Sequence, residues 1–359
     1  MSVLPRHKPT DMGMSTEALN RVETLLLNGI DDSIYSCYTC LVLRHGNVVF
    51  ENAAGYLNTD RTERAYIDTI FDCASISKTI TATMLLQCVE EGILHLDQEV
   101  RYFFPEAADF PIGTVSLKKL ATHTSGLPPW RSVKEAPNPL EAVLNAPIEA
   151  EPGTRYAYSD LGYIMLGLIL ERLLGDSLDM LAYSRIFSIL QMDFTGYCPP
   201  VEWHSRLAAT TAPLGVVHDP NARVMGGIAG HAGLFSTATD LARYCIAIMP
   251  PKGQKDEWNL LTPLARKLAH NRQTDPPLSA HTIGWFAYPN GFLPKGDLFS
   301  SHTFGHTGFT GTMIMIEPEL DIIIVLLTNR VIYENENDGV ASIRQRKLIA
   351  NLIGAAVQD

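Results

Sequence analysis

The order of strand-like and helix-like segments constrains the fold of this chain more than any other sequence feature. Segments of β character lie towards both ends of the chain, at Tyr38–Leu43, Val48–Ala54, Thr282–Tyr288, Thr312–Ile316 and Ile322–Leu327. The region between them, about residues 93–244, combines helical stretches with loops rich in glycine and proline. Terminal segments that pair into one sheet, with helices inserted between them, explain this order. The sequence therefore predicts an α/β plus α fold, with an antiparallel sheet flanked by helices and an inserted mainly helical lobe.

The length of 359 residues, of which 46% are of hydrophobic type, suffices for one large domain. We predict a single domain over residues 1–359. Its α/β lobe is expected at about residues 14–72 and 260–359, and its helical lobe at about residues 75–245.

Helical periodicity, capping residues and a terminal glycine locate the principal helices. They are predicted at Met14–Leu27, Ser75–Gly92, Ser159–Leu174, Asp240–Ile248 and Val340–Val357. The positions of the last helix that are expected to face the interior are Ile343, Leu348, Leu352 and Ile353.

Charge and motif content exclude several classes of function. The formal net charge is −11 and no basic block stands out, so no nucleic-acid partner is expected. No apolar run approaches the ~18 residues of a membrane span, and no signal peptide is visible. We therefore expect a cytoplasmic protein, or a mature exported form without its leader. Neither a nucleotide-binding nor a metal-binding motif occurs, so no cofactor and no metal are expected.

Cys37 and Cys40 form a C-x-x-C pair within a β-rich run. Positions three apart on a strand face opposite sides of the sheet. Buried packing residues are therefore the favoured interpretation. A redox or metal protein built on this pair is the remote alternative.

The segment Ser75-Ile76-Ser77-Lys78 opens a predicted helix and has S-x-x-K spacing. This spacing lets the lysine lie beside the serine hydroxyl, where an amine can take up its proton. The N–H groups at a helix start also attract an oxyanion. The pattern is weak alone, because about one copy is expected by chance in a chain of this length. Indeed, Ser116-Leu117-Lys118-Lys119 repeats it, and we interpret that copy as a solvated helix start.

Two further motifs support a catalytic interpretation of the first S-x-x-K copy. The segment Tyr156–Tyr163 includes Tyr158 and Asp160, and a buried tyrosine near a lysine can relay protons. The segment Gly305–Thr312 precedes a strand and is rich in glycine, so that a substrate can lie against its backbone. Each motif alone has an ordinary structural explanation, but together, and in this order, they are specific.

The order S-x-x-K, Y-x-N or Y-x-D, and K-T-G or H-T-G resembles serine β-lactamases of class C and DD-peptidases. It is still more similar to the β-lactamase-like esterases and amidases, including the family VIII esterases. Val217–Ala222 is similar to a motif in a subgroup of penicillin-binding-protein-like peptidases and muropeptide amidases. The resemblance runs from about Tyr38 to Ile353. Secondary landmarks of the family are present at Thr122–Pro128, Gly153–Tyr156 and Gly226–Thr237.

This resemblance implies a role for each matching residue. Ser75 attacks the carbonyl, and Lys78 and Tyr158 share the general-base and general-acid work. The backbone N–H groups of Ser75 and Phe309 form the oxyanion hole. The residues implied in substrate binding are Asp160, His218, Asp219, His231, His306, Thr307 and Gly308. His123 is expected to be a structural hydrogen-bond partner.

Two positions depart from the β-lactamase pattern. Asp160 stands where an asparagine is usual, and a carboxylate near Lys78 favours its ammonium form. The general base therefore stays open between Lys78 and Tyr158. His306 stands where β-lactamases have a lysine, which weakens any claim to antibiotic substrates. A replacement positive charge would have to come from a residue such as Arg223 or Arg330.

We therefore predict a serine hydrolase that cleaves a small ester or amide through a Ser75 acyl-enzyme, with ester cleavage favoured. One alternative is a DD-peptidase or muropeptide amidase acting on a short peptide. Another is an acyltransferase that uses an acceptor other than water. A catalytically dead binder or sensor is the alternative from a different class. The pocket residues are expected on the loops Trp130–Glu149 and Pro199–Arg223, and the motifs do not indicate an oligomeric state.

Overall fold

The computed structural model describes residues 4–253, 255–333 and 338–359. The predicted single domain also spans residues 1–3, 254 and 334–337, which lie outside the described residues. The described α-helices are α1 Thr16–Asp31, α2 Ser77–Glu90, α3 Leu117–Ala121, α4 Pro139–Leu144, α5 Asp160–Leu174, α6 Leu178–Ala182, α7 Pro220–Val224, α8 Ala238–Ile248, α9 Pro263–His270 and α10 Asp338–Ala355. The described strands are β1 Cys37–Arg44, β2 Asn47–Gly55, β3 Phe71–Asp72, β4 Gly196–Tyr197, β5 Leu234–Ser236, β6 Phe286–Ala287, β7 Phe304–Thr307, β8 Met313–Glu317 and β9 Ile322–Thr328.

Strands from both ends of the chain form one antiparallel sheet, which confirms the predicted fold class. The strand order is β2-β1-β9-β8-β7-β6, so β1 pairs with β2 and with β9. A separate small sheet has the order β3-β5-β4. The assignment of two lobes to particular residue ranges stays a prediction.

Every residue of β1 is buried. Since successive side chains of a strand point to opposite faces of the sheet, both faces of β1 are covered. Cys37 and Leu41 enter the core that contains α2, α5 and α8, whereas Cys40 and Val42 enter the core beneath α1 and α10. Burial raises the pKa of the Cys37 thiol and that of the Cys40 thiol to about 12. The C-x-x-C pair thus consists of packing residues on opposite faces, as expected, and its thiols are poorly suited to redox or metal chemistry.

Helix α2 is buried on all sides along Ser77–Cys88. Two of its threonines have internal partners: Thr81 Oγ1 donates to the Gly230 carbonyl at 2.8 Å, and Thr83 Oγ1 lies 2.8 Å from the Tyr244 hydroxyl. A rigid, enclosed helix therefore carries the S-x-x-K lysine in its first turn. None of the helices among the described residues is both long enough and apolar enough to cross a membrane. The cytoplasmic location stays a prediction.

Two local predictions are wrong. The strand expected at Thr282–Tyr288 covers only Phe286–Ala287, because the Thr282 hydroxyl and backbone bond to Trp285 and close a turn. Ile343 was expected inside but is 41% exposed. Helix α10 packs through its other face, which buries Ile353 as predicted, while Leu348 and Leu352 are partly buried.

Candidate active site

Ser75 lies in a tight turn between β3 and α2. Ala74 has a φ of 46°, in the left-handed region that a residue with a Cβ rarely adopts. The buried Asp72 carboxylate holds this turn by accepting the Ala74 N–H at 2.8 Å and the His218 N–H at 2.7 Å. Burial raises the pKa of Asp72 to about 6, although both hydrogen bonds oppose that shift. The turn presents Ser75, which is partly exposed, at the start of the enclosed helix.

Lys78 lies one turn further on and is fully buried. Its Nζ donates to Ser75 Oγ at 3.0 Å, to Asp160 Oδ1 at 2.7 Å and to the His231 carbonyl at 3.2 Å. These contacts use all three N–H groups of an ammonium. Nζ also lies 4.7 Å from the centre of the Tyr158 ring. The structure thus brings together the serine, lysine, tyrosine and aspartate that the motifs predicted.

The electrostatics of this cluster favour protonated side chains. Burial alone would lower the pKa of Lys78, but the Asp160 carboxylate and Tyr158 outweigh burial and raise it above its usual value. Burial raises the pKa of Tyr158, and its interactions with Lys78 and Ser75 oppose the rise only in part. At neutral pH Lys78 is therefore an ammonium and Tyr158 a neutral phenol.

The loop after β7 is fastened to the turn that carries Ser75. Thr312 Oγ1 donates to the Cys73 carbonyl at 3.0 Å, and Thr310 Oγ1 donates to the Asp72 carbonyl at 2.7 Å. A Cβ on Gly308 would lie 2.5 Å from the Cys73 carbonyl oxygen, so only glycine permits this approach. The loop therefore brings Phe309 to the same cavity wall as Ser75.

Ser75 opens into a cavity of about 440 Å³. One part of its wall is aromatic, with the Tyr158 ring centre 5.5 Å from that of Phe292. Another part is cationic and contains Arg330 and Arg346. The residues that line the cavity are Ala74, Ser75, Trp130, Tyr158, Asp160, His218, Asp219, Pro220, Ala232, Phe286, Phe292, Thr307, Gly308, Phe309, Arg330, Gly339, Ser342, Ile343 and Arg346.

Asp219 and His231 form a pair at the edge of this cavity. Asp219 Oδ1 lies 2.9 Å from His231 Nε2 and accepts the Ala222 N–H at 2.7 Å. Burial opposes ionisation of Asp219, but the contacts with His231 outweigh it and lower the pKa of the carboxyl to about 2. Side-chain ligand atoms of Asp160, Asp219 and His231 lie within 4.8 Å of one another. Because the Lys78 ammonium already binds Asp160, its charge opposes a metal ion there.

The structure places two of the predicted histidines behind the cavity wall. His231 and His306 are each 1% exposed, and neither belongs to the residues that line the cavity. The His306 ring instead stacks on Phe286, with their centres 4.4 Å apart, and its Nδ1 lies 2.9 Å from the Thr307 carbonyl oxygen. Burial, together with the Lys78 charge, holds the pKa of His306 well below its usual value. Both side chains lie behind the cavity wall, and their part in substrate binding stays a prediction.

The other residues that were predicted to bind substrate lie in the cavity wall. Asp160, His218, Asp219, Thr307 and Gly308 all line it. The His218 ring stacks on Phe309, with their centres 5.8 Å apart. Burial lowers the pKa of His218, and the nearby Arg223 lowers it further. A neutral His218 therefore forms part of the wall.

A family model described as beta-lactamase matches residues 37–346 of the chain. The chain belongs to the beta-lactamase family. It is 27% identical to a "Putative D-alanyl-D-alanine carboxypeptidase" of Escherichia coli (strain K12), over 91% of this chain and 86% of that protein. The predicted family and its serine hydrolase chemistry are thereby confirmed.

Solved structures of the family share the fold at low sequence identity. A class C beta lactamase from Rhodobacter sphaeroides aligns with a TM-score of 0.74 and 20% identity, over 94% of this chain and 99% of that one. EstCE1, a hydrolase with promiscuous acyltransferase activity, aligns with a TM-score of 0.71 and 20% identity, over 92% of this chain and 98% of that one. At such identity these structures bear on the fold alone.

Sequence reasoning missed part of this beta-lactamase-family cavity. The two predicted loops do supply Trp130, His218 and Asp219, but the C-terminal helix was expected to contribute only to the core. Instead α10 lines the cavity through Ser342, Ile343 and Arg346, among others. No local pattern marks these residues, because the exposed face of a terminal helix depends on what packs beside it. His123 was anticipated correctly: its Nδ1 accepts the Ser159 N–H at 3.0 Å.

Proposed function

We propose that Ser75 is the nucleophile of a hydrolase that cleaves small esters or amides through an acyl-enzyme, with esters favoured. The observation that carries this proposal is the contact of Lys78 Nζ with Ser75 Oγ and Asp160 at the edge of a cavity. A buried ammonium beside a partly exposed serine stabilises negative charge that develops on the serine oxygen. The backbone N–H groups of Ser75 and Phe309 are the proposed oxyanion hole.

The proton of Ser75 passes to Tyr158 in this proposal. Lys78 is unsuited as the acceptor, because its three N–H groups are already donated and its pKa is raised. As Ser75 Oγ bonds to the carbonyl carbon, its proton moves to Tyr158 Oη while, in the same step, the hydrogen of Tyr158 Oη moves to the leaving-group atom and the bond from that atom to the carbonyl carbon breaks. In the second half, a water oxygen bonds to the acyl carbon and gives a proton to Tyr158 Oη, while the Tyr158 hydrogen moves to Ser75 Oγ and the bond from Oγ to the acyl carbon breaks. Tyr158 therefore carries one proton before and after each step.

Amide cleavage is the second candidate. The curated relative from Escherichia coli, which aligns over 91% of this chain, is named a putative D-alanyl-D-alanine carboxypeptidase. The cationic wall of the cavity also suits a substrate with a carboxylate. A peptidase or muropeptide amidase is therefore the main alternative. Acyl transfer to an acceptor other than water is a further alternative, because the structurally similar EstCE1 is a hydrolase with promiscuous acyltransferase activity.

Labelling with a fluorophosphonate, followed by intact-protein mass measurement, tests the nucleophile. We expect one adduct on the unmodified protein and time-dependent hydrolysis of 4-nitrophenyl butyrate. A panel of D-amino-acid amides, measured beside the ester, separates the two candidates by their kcat/KM. Absence of both label and turnover would contradict the hydrolase and leave a binder with the same fold.

A further inference from the structure

A tight turn at residues 229–232 supplies one of the three acceptors of Lys78. An isolated antiparallel bridge closes this turn. The two carbonyl groups at its tip both accept from α2. The Gly230 carbonyl accepts from Thr81 Oγ1 at 2.8 Å, and the His231 carbonyl accepts from Lys78 Nζ at 3.2 Å. The position of the turn therefore decides where the third N–H of the Lys78 ammonium points.

The His231 side chain fastens this turn to the start of α7. Asp219 Oδ1 lies 2.9 Å from His231 Nε2 and accepts the Ala222 N–H at 2.7 Å. Burial opposes the ionisation of Asp219, but its contacts with His231 and Ala222 lower its pKa to about 2. Because an ionised carboxylate only accepts hydrogen bonds, His231 Nε2 carries the hydrogen of this contact. His231 is 1% exposed and its Nδ1 has no hydrogen-bond partner among the described residues, so Asp219 is the group that orients the buried ring.

The charge of Asp219 also acts on Lys78. One oxygen of Asp219 lies within 4.8 Å of an oxygen of Asp160, whose Oδ1 accepts directly from Lys78 Nζ at 2.7 Å. The Lys78 charge contributes to the low pKa of Asp219. Because this attraction is mutual, the Asp219 carboxylate in turn favours the ammonium form of Lys78. Asp219 therefore influences the same ammonium through its charge and through the His231 carbonyl.

We propose that Asp219 is a positioning residue for Lys78, a role that rests on the proposed function of Ser75. The Asp219 carboxylate holds the His231 ring, and the His231 carbonyl then holds Lys78 Nζ beside Ser75 Oγ. Nζ lies 3.0 Å from that oxygen, and a displacement of about 1 Å removes much of the effect of a group on a reacting atom. This role differs from the substrate contact predicted for Asp219 from the sequence, because it acts on the nucleophile whatever the substrate is.

Two measurements separate positioning from substrate contact. Asp219→Ala should lower kcat for 4-nitrophenyl butyrate about 10- to 100-fold, with a smaller change in KM. It should also slow the reaction of Ser75 with diisopropyl fluorophosphate by a similar factor, because that probe reports the reactivity of Ser75 Oγ itself. The value of kcat is expressed per serine that the probe labels at completion, so that unfolded protein does not contribute to the loss. A change confined to KM, or an unchanged labelling rate, would overturn the proposal.

Asp219→Asn is the conservative variant. Its amide oxygen can keep both hydrogen bonds of the carboxylate, so we expect it to recover most of the lost kcat. An asparagine variant as slow as Asp219→Ala would contradict a role through the hydrogen bond to His231.

Asp321→Ala is the matched control. Asp321 Oδ2 also lies 2.9 Å from a histidine nitrogen, Nδ1 of His45. This second pair lies where β8 turns into β9, at the end of β8 remote from the active-site loop. Asp321→Ala should therefore leave kcat and the labelling rate unchanged.

A double-mutant cycle tests whether Asp219 acts through His231. His231→Leu removes the ring and should lower kcat in the same way as Asp219→Ala. The double variant should lose about as much kcat as the slower single variant, because both side chains belong to one path to Lys78. Losses that multiply in the double variant would contradict the proposal. If His231→Leu does not fold, the labelling rate of Asp219→Ala and the recovery in Asp219→Asn decide the question.

Failure of this proposal and failure of the proposed function are distinguishable. A protein that is labelled at Ser75 and whose Asp219→Ala variant is fully active keeps the proposed function and loses the positioning role. A protein that is neither labelled nor active loses both.

Discussion

Two segments of this chain have the same S-x-x-K spacing and entirely different surroundings. Lys78 is fully buried and donates to Ser75 Oγ at 3.0 Å. In the second copy, Ser116 is the N-cap of α3, and its Oγ accepts the Lys119 backbone N–H at 3.4 Å. The serine hydroxyl of the first copy is therefore left for chemistry, whereas that of the second is used to cap a helix.

The backbone that enters each helix accounts for this difference. Ser116 has an extended backbone, with a φ of −77° and a ψ of 155°, which turns its hydroxyl towards the first N–H groups of the helix. Ser75 instead lies inside the 3-10 turn Ala74–Ile76, directly after the left-handed Ala74. The strain at Ala74 is held by Asp72 and by the loop of Phe309, so residues distant in sequence decide which copy is reactive. A motif defined only by its spacing is therefore reactive only where the fold places the right partner residues beside it.

Exchange of each serine for alanine should separate the two copies most strongly. Ser75→Ala should abolish fluorophosphonate labelling and lower kcat by about 10³- to 10⁶-fold, as loss of a nucleophile does in other serine hydrolases. Ser116→Ala should leave labelling and kcat unchanged. The measurement is intact mass together with ester turnover. The opposite outcome, in which only Ser116→Ala is inactive, would mean that the second copy is the catalytic one.

Removal of the proton relay should have the next largest effect. Tyr158→Phe should lower kcat by about 10²- to 10⁴-fold with little change in KM, because the hydroxyl acts only during bond making and breaking. Lys119→Ala is the control within the second copy and should leave kcat and KM unchanged. A Tyr158→Phe variant with nearly normal kcat would exclude Tyr158 as the relay and return the role of base to Lys78.

The ionisation of Lys78 gives a smaller but more discriminating test. The Asp160 carboxylate raises the pKa of Lys78 against the effect of burial, so in Asp160→Asn burial should lower that pKa. If the ammonium is the active form, the descending limb of kcat/KM should move to lower pH, by about 1–3 units. If the ascending limb moves instead, Lys78 is the free base. Asp109→Asn changes an exposed carboxylate and should leave both limbs in place.

Local physics predicts part of this site and leaves the rest to tertiary structure. The contact between Ser75 and Lys78 follows from helix geometry, and the pairing of terminal strands follows from the order of segments. The approach of Asp160 to Lys78 follows from no local rule, and its prediction depended on the resemblance to a family. Arg346 and Ile343 were missed, because helical periodicity identifies an apolar stripe but not which face a neighbouring sheet covers.

The smallest expected effect concerns stability, and it reverses the ranking of the two serines. Ser116→Ala removes an N-cap acceptor and should lower the free energy of unfolding by about 0.5–2 kcal/mol, whereas Ser116→Gly should cost only a few tenths, because glycine is tolerated at an N-cap. Ser75 is not such a cap, since among the described residues its Oγ accepts from Lys78 Nζ and from no helix N–H. Ser75→Ala should therefore change the free energy of unfolding less than Ser116→Ala does. Urea denaturation of the three variants measures this order. A larger loss in Ser75→Ala would mean that the contact with Lys78 stabilises the fold as well as serving the chemistry.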